Sequence, residues 1–236
     1  MRNISYILIS IIMVLLGVFF LVETWSYICV HFKAFTDNAG KTGHNWWFLW
    51  VLLGGLVYPL INYFVDKKEN NHREVKVFKN IGVTKTFMHE MSHAIVAVLT
   101  FRRIHSFHVT EVDGVVYSSG SEKTRFLVSL APYCFLWLTF PFISLRCIVE
   151  NGYLWIMDIL IGITIGLHAV CIKEDTGNHQ SDITKYPVVF SYIYIFSVLL
   201  FDLSLILMSY KPESNIFYAF RDYVLDFWGY VSMLWS

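Results

Sequence analysis

The stretch TFMHEMSHAIVAVL, residues 86–99, decides how this chain is read. It holds two histidines and a glutamate among residues that are otherwise mostly apolar. What such groups can do depends on the solvent around them, and the rest of the 236-residue chain supplies that. Hydrophobic residues make up 56% and charged residues 15% of the chain, against about 25% charged in a soluble globule. Mean hydropathy is +0.53. This is the composition of an integral membrane protein. Lys plus Arg equals Asp plus Glu at 18 each, which removes any case for nucleic acid or another polyanion as a partner. Cys29, Cys134, Cys147 and Cys171 are scattered and form no CxxC pair. They offer neither a disulfide framework nor a cysteine metal site.

A spanning helix needs about 20 mostly apolar residues. Six stretches qualify: residues 4–30, 46–64, 81–101, 126–145, 153–172 and 188–208. The first is too long for a signal-peptide core and lacks a small-residue cleavage site, so it reads as an uncleaved anchor. The second opens on WWFLW, which suits an interfacial aromatic belt. Pro132 and Pro141 predict kinks in the fourth, and Pro187 marks the start of the sixth. DKKENNHREVKVFKN, residues 66–80, reads as a solvated loop. The tail mixes aromatics with Arg221, Asp222 and Asp226. It predicts an interfacial amphipathic helix, with a short seventh span as the alternative. The expected fold class is an all-α polytopic membrane protein of about six transmembrane helices. It divides into an N-terminal transmembrane hairpin (1–65), the polar loop (66–80), a transmembrane core (81–209) and the C-terminal helix (210–236). A cytoplasmic N-terminus would put ten of the 18 Lys/Arg inside and eight outside, a split that leaves orientation open.

Between the third and fourth helices lies RRIHSFHVTEVDGVVYSSGSEKTR, residues 102–125. Polar and apolar residues partly alternate at Ile104, Phe107, Val109 and Val112. Asp113-Gly114 is a type I′ turn signal, and Val115, Val116 and Tyr117 can return. A short β-hairpin is expected here. His105 and His108, three positions apart, would point to opposite faces, which argues against a joint metal site.

His89, Glu90 and His93 form H-E-x-x-H. On a helix, positions i and i+4 share one face. Two imidazoles placed that way can bind one Zn²⁺, and Glu90, offset by one residue, is placed to act as general base on water beside the metal. A charge near the bilayer centre costs at least about 2.5–3.5 kcal/mol. Three polar groups on one turn of such a helix therefore read as a functional site.

An H-E-x-x-H inside a spanning helix, continuing HAIVAVLTFRR, resembles the site-2-protease-like intramembrane metallopeptidases of the M50 group. IHSFHVTEVDGVVYSSG sits where that family carries a β-hairpin dipping toward its active site. SLAPY, residues 129–133, is similar to the family's small-residue-plus-proline element. The resemblance covers roughly residues 84–200. It implies a zinc metalloendopeptidase, with an aspartate near the start of a later helix as third ligand. Neither an asparagine-proline-aspartate-glycine nor a leucine-aspartate-glycine signature is present, so that ligand is sought by chemistry.

Asp182, in HQSDITKYP, precedes the last helix and resembles the serine-aspartate element of the M50B-like branch. His168 and Asp175 are the next candidates, and His179 lies in the loop between them and Asp182. The competing reading of Asp182 is a helix cap; that of His168 is an interhelical hydrogen bond.

The expected site is thus catalytic Glu90 with His89, His93 and Asp182 as ligands of Zn²⁺. The expected substrate is a membrane-protein helix, unwound and paired along the hairpin's exposed edge. The partners are that helix and the lipid bilayer, and the oligomeric state is left open. The abundance of Ile, Phe, Lys and Asn points to a bacterial plasma (inner) membrane. Two alternatives stay open: a non-catalytic membrane scaffold or regulator with a structural zinc site, and a non-heme iron oxidase, which needs further histidine boxes. Glu23, Asp158 and Asp202 also interrupt apolar runs and read as interior or snorkelling residues.

Overall fold

The computed structural model describes residues 2–37, 47–69, 76–110, 113–176 and 180–210, with scattered positions from 221 to 232. The helices are α1 (Arg2–Asp37), α2 (Trp47–Glu69), α3 (Lys76–Leu99), α4 (Arg125–Leu130), α5 (Thr139–Arg146), α6 (Leu154–Asp175), α7 (Ser181–Thr184) and α8 (Val188–Met208). Strands β1 (Arg103–Val109) and β2 (Gly114–Ser119) pair antiparallel between α3 and α4.

Among the described residues, four helices are long and apolar enough to cross a bilayer, within Ile4–Val22, Trp47–Phe64, Leu154–Asp175 and Val188–Leu207. Of the six expected spans, four are found among the described residues. The third expected span is the continuous helix α3, but its Lys, Thr, His and Glu residues take it below the hydropathy of a span. The fourth is broken. Pro132 sits in a 3-10 turn over Ala131–Tyr133, and the helix resumes only at Thr139. A proline lacks the N–H that a continuing helix needs. The break is tolerated because protein covers it. Asp202 of α8, 2% exposed, accepts the freed Leu136 N–H at 2.9 Å. The solvated loop expected over 66–80 is helical at both ends, up to Glu69 and from Lys76; residues 70–75 lie outside the described residues, as does most of the expected C-terminal helix.

Half of the α6 window is buried and 44% of that of α8, against 11% for α1 and for α2. So α6 and α8 form the centre. α2 lies on α6 through glycines. A methyl group on Gly54 would overlap the Ile159 carbonyl, and one on Gly162 or Gly166 would overlap the backbone of Val51 or Gly55. Backbones this close are how helices hold together in an apolar solvent. α1 rests on α8, where Ser197 Oγ donates to the Met13 carbonyl at 2.8 Å. Asp158, also buried, accepts from Arg146 Nε at 2.7 Å, and that guanidinium lies 4.4 Å from the centre of the Tyr210 ring. The side chain of Glu23 lies outside the described residues.

The hairpin follows α3 after a left-handed residue, Phe101 at φ 56°. Arg102 N–H then bonds back to the Ala97 carbonyl at 2.8 Å, which is the usual closure of a helix C-terminus. The register runs from Arg103 opposite Ser119 to Val109 opposite Gly114, with an irregularity between Ile104 and Ser106. The expected type I′ turn at Asp113-Gly114 is not formed. Gly114 is already the first residue of β2 and has no positive φ. Thr110 closes the turn instead, its N–H and hydroxyl both donating to the Asp113 carbonyl.

Candidate metal centre

α3 sets His89 and His93 one turn apart with ring centres 4.9 Å from each other. The short helix α7 brings Asp182 across to them, its Oδ2 3.4 Å from His93 Nε2. Ligand atoms of His89, His93 and Asp182 all lie within 4.8 Å of one another. The expected triad is therefore assembled in space. Asp182 stands in the first turn of α7 but makes no cap; Gln180 holds the cap position.

The outer nitrogen of each imidazole is already engaged. His93 Nδ1 lies 2.7 Å from the Val128 carbonyl. A carbonyl only accepts, so Nδ1 carries the hydrogen and Nε2 presents its lone pair. That lone pair faces the carboxylate of Asp182. Two acceptors facing each other at 3.4 Å call for a proton or a cation between them. His89 Nδ1 lies 2.8 Å from Asp175 Oδ2, which likewise turns Nε2 inward. Two imidazoles oriented by a carbonyl and a carboxylate, with a third ligand oxygen, form the donor set that suits zinc. With no metal between them and His93 protonated, burial works to raise the Asp182 carboxyl, but the hydrogen bond from His93, with the charges of His93, Lys185 and His89, holds it below the ordinary carboxylate value.

The segment SLAPY clamps both histidines from one side. Val128, just before it, supplies the carbonyl on His93. Tyr133, fully buried, sets its ring edge-on to His89 at 5.7 Å. Ser92 lies between the histidines in sequence and turns its hydroxyl back to the Met88 carbonyl at 2.8 Å, away from the centre.

Glu90 is 6% exposed and lies under the hairpin. A Cβ on Gly114 would stand 2.8 Å from Glu90 Oε1 and 2.8 Å from Thr86 Cγ2. Gly114 is thus a site residue that the sequence reading assigned to a turn. Its signal was the glycine itself, which close backbone approach also requires.

The remaining candidates separate cleanly. Asp175 reaches the histidine's outer nitrogen rather than the triad. His168 is 2% exposed, stands edge-on to Trp137 at 6.4 Å, and is outside the cluster. His179 lies outside the described residues.

Residues 64–171 match the family model described as Peptidase M50B-like. No curated protein and no solved structure matches the chain. The matched stretch takes in His89, Glu90, His93, Gly114, Val128 and Tyr133, and ends before Asp175 and Asp182. With four apolar helices long enough to cross a membrane among the described residues, the chain is an integral membrane protein. Through residues 64–171, a little under half of its length, it is similar to the M50B-like peptidases.

Proposed function

We propose that the chain is an intramembrane zinc metalloprotease that hydrolyses peptide bonds in or near the transmembrane segments of other membrane proteins. The observation that carries this reading is the cluster of His89, His93 and Asp182 within 4.8 Å, with Glu90 beside it in sequence and in a peptidase-family region. His89 Nε2, His93 Nε2 and an Asp182 carboxylate oxygen would hold the metal. Zinc supplies Lewis acidity that makes water acidic enough to attack a carbonyl at neutral pH.

The chain's own groups do the rest. Glu90 Oε1 takes the proton from the attacking water and delivers it to the departing amine nitrogen. Asp175 and Val128 hold the two imidazoles in the tautomer that keeps Nε2 free. β2 covers Glu90 and limits its access to bulk water. The hairpin has two strands, so each has an outer edge with backbone groups that an unwound substrate segment can pair with. A helix must unwind first, since its own backbone groups are already paired. The composition favours a bacterial plasma membrane as the setting.

The test is Glu90→Gln, in proteoliposomes that also hold a fluorescent reporter helix. The variant should bind zinc like the wild type and lose about 10²–10⁴-fold in cleavage. Cleavage unchanged in the variant would remove Glu90 as the base, and cleavage absent in the zinc-loaded wild type over a panel of reporter helices would leave the non-catalytic scaffold as the better reading.

A further inference from the structure

We propose that the chain binds one anionic phospholipid, its phosphate held by Lys123, Arg125 and Lys185 and one acyl chain laid between α1 and α8. Two adjoining cavities carry this. The first, about 560 Å³, is lined by those three cations with Tyr6, Tyr186 and Glu122 among others. The second, about 580 Å³, is walled by Ile11, Val14 and Leu15 of α1 and by Val189 and Ile193 of α8. Tyr6 lines both, so the cationic end opens onto the apolar one.

Charge and depth both fit a phospholipid. Three cations face one lining carboxylate, Glu122. Arg125 Nη1 stands 3.3 Å from Glu122 and Lys185 Nζ 4.0 Å from Asp182, and these cations are 47% and 41% exposed. Pairs this exposed hold their partners weakly, so a phosphate with several acceptor oxygens can engage both cations.

The span of α1 begins at Ile4 and that of α8 at Val188. The neighbouring residues Tyr6, Lys185 and Tyr186 therefore sit at headgroup depth. From Tyr6 to Leu15 the groove follows nine residues of helix, about 14 Å at 1.5 Å per residue. That is roughly one leaflet of a ~30 Å hydrocarbon core. Ile11 is 53%, Leu15 65% and Val189 72% exposed, open to whatever fills the groove. A free phosphate would use only the first cavity. A protein helix would use the second and leave the cations unmatched.

The experiment is native mass spectrometry of the full chain from mixed micelles, with phosphatidylglycerol, phosphatidylcholine and inorganic phosphate as probes. One phosphatidylglycerol should stay bound per chain, resisting equal concentrations of phosphatidylcholine and of phosphate. The double variant Lys123→Gln, Arg125→Gln should bind it roughly 10- to 30-fold more weakly. Val189→Trp, which fills the groove and leaves the charges, should also weaken binding. Thermal melting in phosphatidylcholine checks folding, and Lys123→Gln alone replaces the double variant if that unfolds.

Four results would overturn the proposal. They are equal retention of the two lipids, full retention in the charge variants, displacement of the lipid by phosphate, and a photo-crosslinker at Ile11 that captures polypeptide in membranes instead of lipid.

Discussion

The α2–α6 contact and the α3–α4 contact hold helices together by different physics. Along α2–α6, glycines bring backbone against backbone, and no atom fits between Gly162 and the Val51 carbonyl. Nothing there points in a direction; the contact is a matter of volume. At α3–α4, the Val128 carbonyl fixes His93 by one hydrogen bond, and Tyr133, in the 3-10 turn that follows α4, fixes His89 by the edge of its ring. That contact is a matter of orientation. The first sets where the helices stand. The second sets which nitrogen each histidine offers. Volume changes along α2–α6 should therefore act on folding, and polarity changes around the histidines on the metal centre.

The largest effect should come from Gly162→Leu. Its side chain must push α2 away from α6, and overpacking of this kind costs about 3 kcal/mol or more. Folded, monodisperse protein should be lost together with zinc, as read by size exclusion and thermal melting. A folded Gly162→Leu chain would break the distinction between the two contacts.

A smaller and more selective effect is expected of Gly114→Ala. The added methyl group falls on Glu90 and Thr86 rather than on a helix backbone. Displacing the base by about 1 Å should lower turnover about 10²-fold. Zinc content and melting temperature should stay at wild-type values. Loss of zinc here would place Gly114 in the scaffold rather than beside the base.

Asp175→Asn should be the mildest. The amide keeps a hydrogen bond to His89 Nδ1 and loses the charge. Zinc affinity should fall about 10- to 100-fold, measured by competition with a chelator, with no loss of folded protein. An unchanged affinity would remove Asp175 from the centre's support.

Much of the site was legible because its chemistry is local. The spacing of His89 and His93 fixes a shared face on any helix, and Asp182 was singled out by its place just before α8. What escaped depended on distance. Asp175 was weighed as a ligand, yet it reaches the histidine's far nitrogen, because α6 ends level with the first turn of H-E-x-x-H. Hydropathy counts residues and not partners, so it joined 126–145 into one span. In space the break at Pro132 is stabilised by Asp202, 70 positions along the chain from that proline. Asp113-Gly114 carried a correct hairpin signal for the wrong reason. The glycine is there for Glu90 and not for a two-residue turn.

The central claim is that His89, His93 and Asp182 form one metal site. Elemental analysis of purified wild type beside His89→Ala and Asp182→Ala tests it most directly. The account predicts about one zinc per wild-type chain and almost none in either folded variant. Zinc retained in Asp182→Ala, or absent from an intact wild-type chain purified without chelator, would contradict it.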